Sequence, residues 1–437
     1  MRHHLTLFVF ACLTFTAKSQ ITKTLTLDEA VQIGIEASQQ LKTSGARLDA
    51  TKARTLQYWN ALLPNVSLNS SYTRVSDNIT PFSVKFPGAT DAVVLNPQVL
   101  NQFTNRLSAQ AFVFTGWRAK NFFESAQFLQ KAATLDVERD RIEVKNNIVA
   151  AYLNLLKLQT SKQIVAESGN VLRSRLNDVK NFVKNGTALE NDQLKAEIAV
   201  SQLDLTASDL NNAIEVANFN LDLMLGLPVE TRIDVDKKML FEEKSISDLP
   251  VYLAALDTRP DISAADLRRQ ATLKNVDIAK GALYPTVSVG GNLYYNNPNQ
   301  RVFPQQDAFK GTWDLGVQLS YNLTSLYTTK AQIQEAQANV AVSNAQSQQI
   351  TEGAKMEVNA NYYAYQSALE KIKLTEKVIV QAAENQRVMK NRYAAQVVLI
   401  GELLEADSLV LQAKLNLESA KTEAEAAYYK LQKSVGK

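Results

Sequence analysis

The chain has 437 residues, with 47 basic and 44 acidic side chains, two histidines and one cysteine. A chain this long exceeds one small domain, and its near-neutral charge with no basic block argues against a nucleic-acid partner. Beyond the N-terminal stretch no apolar run approaches the ~18 residues a membrane helix needs, so a chain that spans a bilayer here does so with strands.

The N-terminus carries Arg2, then an uncharged apolar stretch over Leu5–Thr16, then Ala17-Lys18-Ser19 before Gln20. A basic start, a short apolar run and small residues at the cut predict a secretory signal peptide over residues 1–19. A rival reading takes Ala11-Cys12 as a lipidation site that anchors the mature N-terminus; plain cleavage is preferred because lipidation would leave an unusually short apolar run. Cleavage after Ser19 removes Cys12, His3 and His4, leaving 45 basic and 44 acidic residues. Such a chain has no Cys/His metal site, no cysteine nucleophile, no histidine triad and no disulfide. The expectation is therefore no metal, no cofactor and no enzyme. Gly290-Gly291 reads as a strand feature, not a phosphate cradle.

The body of the chain then reads as two copies of one plan. The first repeat covers residues 20–228, a linker follows over 229–248, and the second repeat covers 249–437. Thr26-Leu-Asp-Glu29 is a capping box that opens a helix over 26–62, ended by Pro64. The phrase Ala61-Leu-Leu-Pro-Asn-Val-Ser-Leu68 returns 221 residues later as Ala282-Leu-Tyr-Pro-Thr-Val-Ser-Val289. A strand near 64–73 alternates Val66, Leu68 and Tyr72 with Asn65, Ser67, Asn69 and Ser71. A second, near 106–115, sets Leu107, Ala109, Ala111 and Val113 against Ser108 and Gln110, although Phe112 and Phe114 blur its polar side. Between them Thr73–Asn105 is punctuated with Asp, Asn, Pro and Gly as a surface loop.

Helix then dominates over 117–225, in two arms that meet near Gly186. Its first arm, about 65 residues at 1.5 Å each, would make a rod of about 100 Å. In the second repeat Arg259-Pro260-Asp261 opens the matching helix, within a helical stretch over 250–283, with Pro in its favoured first turn. Strands follow near 285–295 and 313–323, the latter alternating Trp313, Leu315, Val317, Leu319 and Tyr321 with Asp314, Gly316, Gln318, Ser320 and Asn322. Between these strands, Asn296–Gly311 is again loop-like. Helix returns over 325–435, turning near Gln396. A second echo links Leu189, Asp192, Leu194 and Ala196 to Leu399, Glu402, Leu404 and Ala406, each 210 residues on, and carries Gly226 to Gly436. A repeat of this size is a duplicated half-protein, not a solenoid unit.

Each strand taken singly suits a soluble sandwich with one wet face. Four segments near ten residues, in a secreted chain that is otherwise helical, point to a membrane barrel. The helices carry narrow apolar stripes such as Ile148, Ala151, Tyr152 and Leu155, which suit coiled-coil seams but also a generic bundle. Four strands cannot close a barrel, so a cyclic oligomer must supply the rest; three copies give twelve.

The order helix, Leu-x-Pro strand, loop, strand, long helix, turn, returning helix, duplicated, resembles the TolC-type outer-membrane efflux proteins over essentially the whole mature chain. The matching phrases are Ala61–Leu68, Ala282–Val289, Arg259–Ile262, Gly186–Ala196, Arg392–Ala406 and Leu411–Ala420. The resemblance implies a mixed α and β fold: duplicated long helical hairpins forming a periplasmic tunnel, and four β-strands per protomer contributing to a 12-stranded trimeric barrel in outer-membrane lipid. It further implies a homotrimer that docks on a periplasmic adaptor and an inner-membrane efflux pump or ABC exporter, carrying drugs, small molecules or proteins outward. The competing class is a secreted or periplasmic coiled-coil scaffold without a pore.

Read from spacing alone, Glu402 and Glu405 are a solvated pair on one helix face. The resemblance instead makes them the acidic ring at the periplasmic mouth, with Asp192 at the matching position of the first repeat. This chain departs from the family pattern at Val398, where some relatives carry a basic residue, and at Gln396, which replaces a turn glycine. Adaptor contact is expected at the helix tips, with Leu189, Leu194, Leu399 and Leu404 as candidates, all four equally suited to a buried seam.

Overall fold

A computed structural model describes residues 22–437 except 79, 97, 237–240 and 304. The expected signal peptide, Cys12 and part of the linker lie outside the described residues. The elements in chain order are β1 (Thr22–Leu25), α1 (Leu27–Ala37), α2 (Gln39–Asn60), β2 (Asn65–Arg74), β3 (Phe82–Val84), β4 (Val93–Asn96), β5 (Asn101–Phe114), α3 (Arg118–Lys184) and α4 (Glu190–Leu225). The second half follows with β6 (Arg232–Val235), α5 (Leu249–Ala254), α6 (Pro260–Gly281), β7 (Thr286–Asn296), β8 (Lys310–Ser320), α7 (Ser325–Ala394) and α8 (Ile400–Ser434).

The chain divides into two compact units, one of residues 1–42, 140–255 and 355–437, the other of 43–139 and 256–354. In the first unit Thr26 caps α1 with its hydroxyl accepting from the Glu29 amide at 3.3 Å, while the Thr26 amide donates to Glu29 at 2.9 Å. The two sequence-expected helices are each interrupted. Ser38 breaks the first because its hydroxyl accepts from the Leu41 amide at 3.3 Å and restarts the chain as α2. Pro260 breaks the second, since its ring cannot donate to the turn before it. A core forms around fully buried Tyr152, with Leu25, Ile148, Leu155, Leu221, Leu225 and Ile233. The Tyr152 hydroxyl donates to the Leu25 carbonyl at 2.8 Å and accepts from the Asp236 amide at 3.2 Å, tying the parallel β1–β6 pair to α3.

Asp222, in the last turn of α4, is fully buried; Asn218 donates to its Oδ2 at 2.9 Å, and Oδ1 has no hydrogen-bond partner. Burial pushes this carboxyl up to about 6. The folded chain therefore holds the proton more tightly than the unfolded one, so stability falls as pH rises from about 4 to about 6 and stays lower above. Replacing Asp222 with Asn should raise stability by about 2 kcal/mol at pH 7.5 and by almost nothing near pH 4. Thermal melts at the two pH values check this; an equal gain at both contradicts it.

The second unit holds an antiparallel sheet in the order β2-β5-β7-β8, in which the β5–β7 pair joins strands from the two halves of the sequence. Its β5 starts at Asn101, earlier than the apolar alternation suggests, because the polar segment 101–105 still pairs with Ser70–Arg74. A short hairpin of β3 and β4 occupies the connection read as loop. The register shifts between Phe112 and Phe114 on β5, against Ser288 and Val287 on β7. Val113 is the extra residue, and the bulge carries Phe114 onto the Val287 side of the sheet. Phe114 thus leaves the polar face, while Phe112 stays on it opposite Ser288. In place of the expected strand end near 323, β8 stops at Ser320, where Asn322 turns the chain by accepting from the Thr324 amide at 3.1 Å.

Candidate functional site: a two-faced sheet and paired helix tips

Alternation along the register gives the four-stranded sheet one apolar and one polar face. Val66, Ala109, Gly291 and Leu315 lie in one row across it, and Leu68, Leu107, Leu293 and Trp313 in the next. These side chains are exposed rather than packed: Trp313, Leu315 and Val317 keep 72%, 78% and 73% of their surface. Aromatic clusters bound this band at both ends. Tyr72, Phe103, Tyr295 and Phe309 meet at one end, with centroid distances of 4.9 to 5.6 Å. Phe114, Trp117 and Tyr284 meet at the other, 4.9 to 6.5 Å apart. An apolar strand band between two aromatic girdles is the pattern of a membrane barrel's lipid-facing side.

The opposite face is polar and cross-linked. Ser108 donates to Asn292 at 2.7 Å, Asn292 donates to Asp314 at 2.7 Å, and Gln110 donates to Ser288 at 3.1 Å. Two edges, β2 and β8, have no strand partner among the described residues.

At the helical end, the α3–α4 and α7–α8 turns close in the same way. Thr187 donates to the Phe182 carbonyl at 2.9 Å, and Val397 to the Arg392 carbonyl at 3.0 Å, each an i to i−5 bond. The left-handed residue is Gly186 in one turn, with φ 74°, and Gln396 in the other, with φ 57°. Gln396 thus adopts the conformation of the glycine it replaces, at a steric cost of about 1 kcal/mol. Leu189 and Leu399 are the residues just before α4 and α8. Leu189, Leu399 and Leu194 are exposed, whereas Leu404 packs partly on the buried cluster of Val179, Ile400 and Leu403.

Glu402 and Glu405 lie exposed on the first turns of α8. Asp192 does not share that exposure: it is buried in a cleft of about 490 Å³ also lined by Arg175, Asp178, Lys390, Tyr393 and Val398. Lys195 is its nearest cation, at 3.9 Å. Burial, then the charges of Asp192 and Asp178, raise the Tyr393 hydroxyl above its ordinary value, so it stays a neutral donor beside them. Deeper in α8, Asp407 is buried; Gln386 donates to its Oδ1 at 2.7 Å, and Arg175 Nε stands 3.6 Å from Oδ2. Sequence reasoning missed Tyr393, Arg175 and Asp407. The signal for Asp407 was available: it interrupts the stripe of Leu403, Ala406 and Val410 with a charge.

Residues 251–437 match the outer membrane efflux protein family. The toxin and drug export protein A of Aggregatibacter actinomycetemcomitans is 22% identical over 330 residues, covering 72% of this chain and 71% of its own. A probable efflux pump outer membrane protein of Pseudomonas putida, TtgC, is 20% identical over 398 residues, covering 90% of this chain and 78% of its own. Among solved structures, the outer-membrane channel OprN superposes with a TM-score of 0.76 at 21% identity, over 94% of this chain and 89% of that one. VceC of Vibrio cholerae gives a TM-score of 0.78 at 19% identity, over 94% and 96%. The fold is that of the outer-membrane efflux channels along nearly the whole chain. Residues 251–437 thus carry the sequence pattern of that family, and the chain as a whole is similar in fold to TolC-like outer-membrane efflux proteins.

Proposed function

We propose that three copies of the chain form the duct of a tripartite efflux or type I secretion system, passive itself and driven by an inner-membrane pump or ABC exporter through a periplasmic adaptor. The observation that carries this reading is the two-faced sheet with two open edges. Unpaired strand edges cost several kcal/mol per group in lipid, and two further copies remove them by completing twelve strands. Apolar stripes support the same assembly: Ile198, Leu205 and Val216 on α4, and Met356, Tyr363, Leu374 and Val378 on α7, are all exposed in the single chain and suit seams with neighbouring copies. A soluble scaffold would leave the Trp313–Leu319 face in water, which makes that class the poorer fit.

In this reading Glu402 and Glu405 of three chains gather six carboxylates at the periplasmic mouth and attract cations there. Asp192, buried beside Tyr393, holds the tip and is less exposed to the mouth. Exposed Leu189, Leu194 and Leu399 are the adaptor contacts, with Leu404 serving mainly the tip's own packing. The cargo proposed is small organic solutes, following the relatives named for efflux and drug export.

Single-channel recording from detergent-purified protein in planar bilayers tests this. Discrete conductance steps are expected, with cation preference weakened in the Glu402→Gln/Glu405→Gln variant. Steps unaffected by that change discard the acidic mouth and keep the pore. Failure to insert into membrane at all returns the scaffold.

A further inference from the structure

Charges on the polar face of the four-stranded sheet are few, and they do not cancel. The register places Arg106 on β5 and Lys310 and Asp314 on β8 on that face, with none from β2 or β7. Asp314 is already engaged: Asn292 donates to Oδ1 at 2.7 Å, and Arg301, from the connection after β7, binds Oδ2. The guanidinium of Arg301 lies 4.3 Å from the ring centroid of Tyr294. Tyr294 is in turn the cross-strand partner of Arg106. Two guanidinium-bearing residues therefore flank one tyrosine, and the only acid on the face is committed to one of them. Arg106 is exposed and has no ion-pair partner among the described residues, and the same holds for Lys310.

Depth makes this arrangement informative. Beside the Arg106 row lies the outward row of Leu107, Leu293 and Trp313, so Arg106 sits at the level of the lipid-facing band. An ionisable residue at membrane depth is costly unless it faces water, and marks a route for solutes. The neighbouring Ser, Asn, Thr and Gln side chains would wet the wall without any charge. The connections beyond the strands add Asp77, Asp91 and Asp307 against Lys85, but Asp307 accepts from Asn297 at 3.1 Å and none of the four is on the strand face. A charge on a wall backed by lipid acts on a passing ion more strongly than one in an open loop.

We propose that Arg106 and Arg301, set about Tyr294, form an oxyanion-attracting station in the barrel lumen, repeated three times around the axis. It favours solutes that carry carboxylate, phosphate or sulfonate groups, which the planar fork of arginine binds in bidentate fashion. This inference rests on the duct reading above. It makes Arg106 a specificity-determining residue, and it gives Arg301 a second task, the masking of Asp314.

The test is the reversal potential of single channels in a KCl gradient, with full-length trimers in the Glu402→Gln/Glu405→Gln background so that the acidic mouth does not mask the barrel. Adding Arg106→Gln should lower the chloride-to-potassium permeability ratio several-fold, while Arg106→Lys preserves it and Arg106→Glu lowers it further than Gln. Arg301→Gln should also lower it, because Asp314 is then unmasked. An unchanged ratio across the Gln, Lys and Glu forms, in channels of normal conductance, overturns the station and leaves the duct intact. Absence of any conductance in the background variant and the unmodified protein overturns the duct, and the station with it.

Discussion

Lys244→Ala lowers the stability of the helical unit by about 2–3 kcal/mol, and Lys244→Met by nearly as much. The Lys244 ammonium is ion-paired with Glu425 and lies 4.5 Å and 4.8 Å from the ring centroids of Tyr428 and Tyr429. Its backbone is held as well: the Tyr365 hydroxyl accepts from the Lys244 amide at 3.1 Å and donates to its carbonyl at 2.9 Å. Losing the ammonium strands a carboxylate that is 9% exposed, and leaves two aromatic faces without their cation. The expected loss sits below the full range for buried pairs because Lys244 itself keeps 31% of its side-chain surface. Burial alone would lower the Lys244 pKa, but the hydrogen bond and charge of Glu425 outweigh it and the net shift is upward. The pair's contribution is therefore fully present below the ordinary lysine value and is lost only as pH rises through the higher folded value. Melting followed by far-ultraviolet circular dichroism between pH 6 and 8 checks this. A loss under about 0.5 kcal/mol for Lys244→Met would mean that the aromatic packing, not the ion pair, anchors the linker. Replacing Glu425 by Met in the Lys244→Met background should recover most of the loss.

That pair was illegible in the sequence for a physical reason. Lys244 and Glu425 are 181 positions apart, and nothing local to either residue names the other. What was legible rests on short-range backbone chemistry. Pro64 and Pro285 end helices wherever they stand, Thr26 and Glu29 cap by their own spacing, and strict alternation along β8 declares a two-faced strand. The 210-residue echo was legible because both copies close their helices alike: Leu227 donates to Asp222 at 2.9 Å, as Lys437 does to Gln432 at 3.1 Å. Failures fell where tertiary context overrides local signals. Ser38 has the chemistry of a cap, but the helix end it marks also meets a distant residue: a Cβ on Gly226 would fall 2.9 Å from the Ala37 methyl. The Val113 bulge needed β7 as its partner. At the tips, helical spacing alone makes Glu402 and Glu405 an exposed pair on one face of α8, but the cleft that buries Asp192 beside Tyr393 is assembled from both hairpins and has no linear signature.

Arg175→Leu and Asp407→Leu should each destabilise the helix-tip region by about 3–5 kcal/mol, while the double replacement recovers most of that loss. The two side chains keep 17% and 5% of their surface, so either left alone is a charge without adequate solvent. Their own geometry contributes little: at 3.6 Å the approach is an attraction rather than a hydrogen bond, and Arg175 Nε and Asp407 Oδ2 have no hydrogen-bond partner. A pair so placed is costly to bury and only weakly repaid, which is why two leucines beside Val179, Leu403 and Val410 restore stability. A double-mutant cycle on thermal midpoints gives the coupling directly. Near-additive losses would mean that Gln386, donating at 2.7 Å, and not Arg175, is what holds Asp407 in place. Arg175 also lines the cleft that holds Asp192 and Tyr393. An arginine at this position in place of a leucine is therefore better explained by the tip's electrostatics than by stability. If so, the double-leucine protein should be as stable as the parent in the melt and yet differ from it in single-channel closure. Identical closure in the two proteins would reduce the pair to a packing feature of α3 and α8.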